Sequence, residues 1–201
     1  MPVDSHITAW KADRSTWKGP YTIAPLLATV PAGARLLDVG SGSGKMALPL
    51  ARAGYRVVAL DIARGGLPGL RGEVAAVQGD ARDLPFRDGS FGAVICYDVL
   101  QHLLAGERAR AMDEAYRALA PGGHICFEGF GIKDMRYGGE VVEPGTFRRE
   151  SGVIYHYFSE DELRGLLAGF GDVAIKETLT RRVFRGTEHW RHRIFASGKK
   201  A

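Results

Sequence analysis

Asp38, Gly40, Gly42 and Gly44 stand at strict two-residue spacing in the run RLLDVGSGSGKMALPLA, residues 35–51. A glycine-rich turn between an apolar run and a helical pattern lets backbone amides approach a ligand closely, usually a nucleotide. Spacing separates three versions of that chemistry. A phosphate-cradling loop requires G-x-x-x-x-G-K-[ST], but the fifth residue before Gly44 is Val39, and Met46 stands where a Ser or Thr would hold magnesium. A dinucleotide fingerprint places Gly or Ala three residues beyond Gly42; Lys45 is there, too long for close helix–sheet packing. The third pattern, Asp-x-Gly-x-Gly-x-Gly, is complete.

Carboxylates follow at useful positions. Asp61 ends the apolar run VVALDIA some twenty residues past the turn, where a carboxylate accepts from two hydroxyls; the alternative is a solvated loop aspartate. Asp80 follows a third apolar run in QGDARDLPF, and Asp98 follows a fourth in DGSFGAVICYDVLQHL. The turn LAPGGHICFEG precedes a fifth.

From Ala34 to Phe130 these motifs, in this order, resemble the class I S-adenosylmethionine-dependent methyltransferases. The small stand-alone enzymes of the methyltransferase 11 and tellurite-resistance groups are the form they look like. The resemblance implies S-adenosylmethionine as cofactor. It puts the backbone of Gly40, Ser41, Gly42 and Gly44 at the methionine part and Asp38 near its ammonium group. It puts Asp61 at the ribose, with Ile62 among the cofactor contacts, Asp80 and Ala81 at the adenine, and Tyr97, Asp98 and Val99 along the cofactor edge. The implied reaction is in-line methyl transfer, mainly a positioning problem, with a base needed only for an acceptor that arrives protonated. His102 is the candidate base or acceptor-orienting group, packing against the cofactor being the alternative. Glu128, ending the fifth run, either faces the pocket or pairs with a neighbouring arginine.

Apolar runs at 35–39, 56–60, 74–78, 91–97 and 124–129 read as strands of a parallel sheet buried on both faces. Helical patterns occupy 45–53 and AGERARAMDEAYRALAPGG, where Ala109, Met112, Ala115, Tyr116 and Leu119 form the apolar stripe and the Pro-Gly-Gly ends the helix. ARGGLPGLRG is a loop or single turn. A further helix starts at Ser159, with a capping box in which Glu162 reaches back. Two strands close the chain, near 172–180 and 190–197. The alternation gives an α/β fold in one domain, 1–201, with a leading lid or helix at 1–30 and a substrate-side insert at 131–158. The resemblance adds a Rossmann-like seven-stranded sheet of order 3-2-1-4-5-7-6, last strand antiparallel, with helices on both faces.

Loops on a rigid α/β frame concentrate binding groups. In the insert, Tyr137, Arg148, Arg149, Tyr155, His156 and Tyr157 are substrate candidates; the alternative makes VIYHYF an edge strand with alternate tyrosines in the core. Trp10, Trp17 and Tyr21 could stack from the leading segment, or simply pack a helix on the sheet. With 201 residues, 45% of them apolar, and no apolar run near ~20 residues, neither a membrane span nor a secretory leader is expected, and the cytoplasm is the default location. Cys96 and Cys126 read as buried free thiols, and no metal is expected. The net charge of +4 and the stretch HWRHRIF raise RNA as a second partner, but the stretch also reads as a strand with one solvated basic face. A small-molecule acceptor is the first expectation, catalytically silent cofactor binding the non-enzyme rival, and the chain is expected to be a monomer or homodimer.

Overall fold

The computed structural model describes residues 5–12, 23–70 and 72–201. Two short helices, α1 (Ser5–Ala12) and α2 (Ala24–Thr29), precede β1 (Arg35–Val39). There follow α3 (Ala47–Arg52), β2 (Arg56–Asp61), β3 (Ala75–Gln78), β4 (Phe91–Tyr97), α4 (Ala105–Ala118) and β5 (Leu119–Gly131). The insert forms β6 (Glu140–Glu143), β7 (Thr146–Arg148) and β8 (Ile154–Phe158); α5 (Glu160–Leu166), β9 (Gly171–Phe184) and β10 (Thr187–Lys199) end the chain.

β1 lies between β2 and β4, parallel to both, with β3 outside β2 and β5 outside β4. β10 joins β5 antiparallel, from Arg193↔Phe130 to Lys199↔His124, and β9 pairs with β10. These seven strands have the expected order, with the expected antiparallel final strand. The sheet nevertheless contains ten strands, because the insert is regular: β8 continues beside the end of β5 (Phe130↔Tyr157, Gly131↔Phe158), and β7 and β6 extend it antiparallel. VIYHYF is thus a strand.

Period-two burial assigns each strand residue to a face. Leu37, Val39, Leu60, Val94, Cys96 and Phe127 pack beneath α4 and α5, whereas Leu36, Ala59, Ala93, Ile95, Tyr97 and Cys126 pack beneath α2 and α3. Both cysteines are buried free thiols, and Leu67–Leu70 makes the single expected turn. The Pro121-Gly122-Gly123 segment lies in the irregular first part of β5, after α4 has ended at Ala118.

The buried face of α4 is Arg108, Ala111, Met112, Ala115 and Ala118; Ala109, expected in the stripe, is exposed. Arg108 belongs to this face because its guanidinium finds partners there. Its guanidinium donates to the Leu103 carbonyl (2.7 Å) and Glu143 (2.9 Å) and pairs with Glu162 (3.1 Å). Ser159 caps α5 as expected, its Oγ accepting from the Glu162 amide, but the Glu162 carboxylate turns to Arg108 and His156 instead of reaching back. One buried guanidinium therefore joins α4, the insert and α5.

Replacing Arg108 by Met should cost about 3 kcal/mol, because it strands two carboxylates in a partly buried position. Exposed Ala109→Ser should cost less than about 0.5 kcal/mol. Urea unfolding of both variants checks the contrast.

Candidate active site

The chain leaves β1 toward β2 and β3 on one side and returns to β4 on the other, so the strand order reverses at the C-terminal edge of β1. Open α/β sheets bind ligands at such switch points. A cleft open to solvent lies here. Gly40, Asp61, Ile62, Asp80, Ala81, Asp98, Val99 and His102 line it, as do Val39, Leu60, Gly79 and Leu103, with Ile7 and Trp10 of α1 covering one side.

The glycine turn has φ of +68°, +52° and +80° at Gly40, Gly42 and Gly44, a region costly for other residues. A Cβ at Gly40 would lie 2.4 Å from Val99 Cγ2, across the cleft wall. The turn is pinned by Asp61, whose Oδ2 accepts from the Gly42 amide (2.8 Å) and whose Oδ1 accepts from the Ala63 amide (2.7 Å). Each oxygen keeps a further lone pair. Burial raises the Asp61 carboxyl above its usual range, with the two amides opposing. Gly66 completes the support: a Cβ there would lie 2.2 Å from the Gly42 carbonyl oxygen, so two backbone segments are in direct contact.

Asp38 is not in the cleft wall. It sits under the turn on the α3 side, where burial pushes its carboxyl up to about 7, the Ala47 amide opposing and the charge of Asp61 adding to the rise. Among the described residues, its Oδ2 and the Ser41 Oγ are buried without a hydrogen-bond partner. These orphaned atoms, next to a turn that excludes side chains, fit a ligand end bearing polar groups. Ser41, Gly42 and Gly44 support the turn without lining the cleft. Tyr97 also faces away, packed against Phe195 in the α2–α3 core.

Asp80 lines the cleft, but its carboxylate is already engaged. Burial acts against ionisation, yet Arg82 holds the carboxyl below its usual range, donating from Nε and Nη2 and from its amide. Arg82 also pairs with Glu107, which accepts from His6 of α1 (2.9 Å) and from the Leu104 amide at the start of α4 (2.8 Å).

His102 lies between Trp10, stacked at 4.1 Å, and Tyr155, edge-on at 4.8 Å. Its Nδ1 faces the Ile154 carbonyl at 3.0 Å, which assigns the proton to Nδ1 and the lone pair to Nε2, 3.4 Å from the Gln101 amide nitrogen. Glu128 resolves the other way: it is absent from the cleft wall and pairs with Arg193, which bridges to Asp98 at 2.6 Å. Burial raises the Glu128 carboxyl; Arg193 opposes and Asp98 adds to the rise.

Of the insert candidates, Tyr155 approaches the cleft through His102. His156 is buried between Thr146 (2.7 Å) and Glu162 (2.7 Å), Arg148 turns toward Glu140 (3.4 Å), and exposed Tyr137 packs on Phe147 and Tyr157. These three therefore stand outside the cleft wall. Trp17 and Tyr21 lie outside the described residues. The stretch HWRHRIF is a strand, but its arginines are not solvated: Arg191 binds Asp134 and Arg193 binds Glu128 and Asp98. Arg82, Arg193 and Gly66 were missed as supports. The i,i+2 pair in DAR and the alternation of Arg191, Arg193 and Phe195 are the signals that could have found the two arginines.

An open, mostly parallel α/β sheet with a glycine turn and acidic strand ends at its switch point defines a protein of the nucleotide-binding α/β class. Comparison with known proteins narrows this. The family model for a methyltransferase domain matches residues 37–127. The chain is 38% identical over 112 residues to demethylmenaquinone methyltransferase of Clavibacter sepedonicus, covering 52% of this chain and 45% of that protein. It is 32% identical over 155 residues to malonyl-[acyl-carrier protein] O-methyltransferase of Geobacter sulfurreducens, covering 71% and 57%. The chain spans about half the length of the curated relatives it matches. A SAM-dependent methyltransferase structure from Methanosarcina mazei superposes with a TM-score of 0.68 at 26% identity, covering 90% of this chain and 99% of that one. Residues 37–127 thus match a methyltransferase domain, and in fold the chain is similar to class I S-adenosylmethionine-dependent methyltransferases.

Two outcomes follow from the supports of the turn. Gly66→Ala should weaken S-adenosylhomocysteine binding by about tenfold or more, about 1.4 kcal/mol, because neither backbone can yield, while Gly69→Ala, facing open space, should not. Calorimetric titration compares them. The raised Asp38 carboxyl is ionised more readily unfolded than folded, so its contribution favours folding at low pH and is lost as pH rises from about 4 through about 7. Between pH 5 and 8 the wild-type chain should lose roughly 2–3 kcal/mol more stability than Asp38→Asn, measured by urea unfolding.

Proposed function

We propose that the chain transfers a methyl group from S-adenosylmethionine to a small organic acceptor held between the cleft and the 131–158 insert. The observation that carries this reading is the Asp61 carboxylate, fixed by the Gly42 and Ala63 amides at the cleft wall with lone pairs remaining. That arrangement suits two adjacent hydroxyls, as on a ribose. Asp80 and Ala81 flank the adenine end, with the Asp80 carboxylate oriented by Arg82. Gly40 and Val99 close the wall toward the methionine end, where the orphaned Asp38 and Ser41 oxygens lie beneath the turn. Asp98 is the edge contact, fixed by Arg193.

The cofactor supplies a sulfonium-activated methyl group. The protein's part is alignment, which accounts for several kcal/mol when attacking atom, methyl carbon and leaving sulfur are held in line. His102 contributes a ring whose proton is fixed on Nδ1, leaving Nε2 as the proton acceptor for an acceptor group that arrives protonated. Glu128 acts through Arg193 as a positioning residue. Substrate contact from the insert falls to Tyr155, with Tyr137, Arg148 and His156 supporting the insert's shape.

A small acceptor is favoured over RNA because Arg191 and Arg193, the basis of the RNA reading, are spent on internal carboxylates. Among similar proteins, one is named for methylating demethylmenaquinone and another for methylating malonyl-[acyl-carrier protein], the reacting groups in both being small and organic.

Transfer of labelled methyl from S-adenosylmethionine into cell extract should place label in the small-molecule fraction. Label confined to nuclease-sensitive material would reverse the choice of acceptor. Asp61→Ala should weaken cofactor binding by about tenfold or more, as expected for loss of hydrogen bonds to a charged group; unchanged affinity would remove the ribose role.

A further inference from the structure

The sheet ends on strands of unequal length. β3 and β6 have four residues each, whereas β9 runs for 14, Gly171–Phe184, and among the described residues pairs with β10 alone. Short edge strands, prolines and bulges protect a sheet from pairing with another chain. β9 contains no proline, and its register with β10 shifts only near the base, between Ser197 and Lys199. Its far half extends past β5, whose pairing with β10 stops at Arg193↔Phe130.

The backbone of this edge points outward at alternate residues. The Trp190 carbonyl accepts from the Met135 amide (2.8 Å) and the His192 amide donates to Asp134 (3.1 Å), so both point away from β9. Their partners across the ladder, Arg181 and Leu179, therefore exchange no bonds with β10 and turn their own amide and carbonyl groups to the free edge. The two-residue turn Arg185-Gly186, with φ of +50° and +79°, agrees. Such a turn makes the flanking Phe184↔Thr187 pair the bonded one, and alternation from it leaves the odd-numbered residues of β9 facing outward. Those residues are Ile175, Glu177, Leu179, Arg181 and Val183.

Their side chains share one face and read apolar, acidic, apolar, basic, apolar. That order is complementary to its own reverse. Two copies paired antiparallel about a two-fold axis at Leu179 set Leu179 against its counterpart, Glu177 against Arg181 and Ile175 against Val183. Moving the axis to Thr178 sets Ile175 against Arg181, and moving it to Thr180 sets Glu177 against Val183, so either shift loses both ion pairs. Glu177 and Arg181 already pair within the chain, with Lys133 and Glu188, but at exposed positions where a carboxylate and a guanidinium each keep capacity for a second partner. Leu179 and Val183 are 49% and 56% exposed, so the pairing covers apolar surface that otherwise faces water. On the opposite face Thr178 meets Thr180 and Ala174 meets Phe184, and Lys176 beside Arg182 is the like-charge pair.

We propose that two copies of the chain join antiparallel along β9, about a two-fold axis at Leu179, and extend their sheets into one. An isologous contact of this kind closes, which gives a dimer and not a filament. β4, β5 and β10 separate the edge from the cleft at β1, so the pairing leaves both clefts open.

Light scattering after size exclusion should give twice the chain mass for the full chain at micromolar concentration. Leu179→Lys, which sets two ammonium groups face to face, should weaken the dimer at least tenfold, with folding verified by thermal melting. Directly opposed residues of a bonded antiparallel pair have Cα atoms about 5.5 Å apart, within disulfide range. Leu179→Cys should therefore cross-link as a dimer under mild oxidation, whereas Arg182→Cys, which meets Lys176, should not; the native Cys96 and Cys126 are buried. A monomer at micromolar concentration, a dimer indifferent to Leu179→Lys, or equal cross-linking of the two cysteine variants overturns the proposal. If Leu179→Lys fails to fold, the two cysteine variants still decide it.

Discussion

The hydrogen bond from the Gly42 amide to the Asp61 carboxylate ties the loop after β1 to the end of β2. It fixes a turn whose three positive-φ glycines would otherwise be its least ordered part. It also consumes one lone pair of the carboxylate in a known direction, which orients the remainder toward the cleft. Gly66 presses on the same peptide from outside, so the turn is held between an acid and a backbone. Ordering of this kind is achieved before any ligand arrives, which lowers the entropy lost on binding.

A second set of contacts couples the two ends of the cleft. α1 carries Ile7 and Trp10 into the cleft, and His6 of the same helix reaches Glu107, which also pairs with Arg82 and caps α4 through the Leu104 amide. Arg82 in turn fixes Asp80. The leading helix, the cleft carboxylate and α4 thus share one ionic network, and displacement of α1 would remove the Trp10 ring from His102.

Much of this was legible from spacing. Two-residue spacing gave Asp38, Gly40, Gly42 and Gly44 as one turn, and strand-end positions gave Asp61, Asp80 and Asp98, because local backbone geometry depends on nearest neighbours. What stayed hidden depends on partners far along the chain. Glu128 could face the pocket or an arginine, and only the β5–β10 register, which sets Phe195 opposite Glu128, decides for Arg193. Asp38 and Tyr97 were expected at the cofactor from their motifs; alternation in β1 and β4 turns both to the α2–α3 face, which keeps Tyr97 out of the cleft wall and leaves the Asp38 carboxyl beneath the glycine turn. The insert looked irregular because β6 and β7 are short and rich in charge; they are held by Arg108, which lies 35 residues before its partner Glu143 in the chain.

The insert's rigidity bears on how the acceptor is chosen. Arg108 holds β6 and α5 to α4 through partly buried ion pairs, and Asp134 holds the 131–137 turn to β10 through Arg191. A flexible cover would adapt to many acceptors, but a strand trio fixed at both ends presents Tyr155 and its neighbouring guanidiniums at set positions. In the methyl-transfer reading proposed above, such a preset surface selects an acceptor by fit to fixed positions and loses little entropy on binding it.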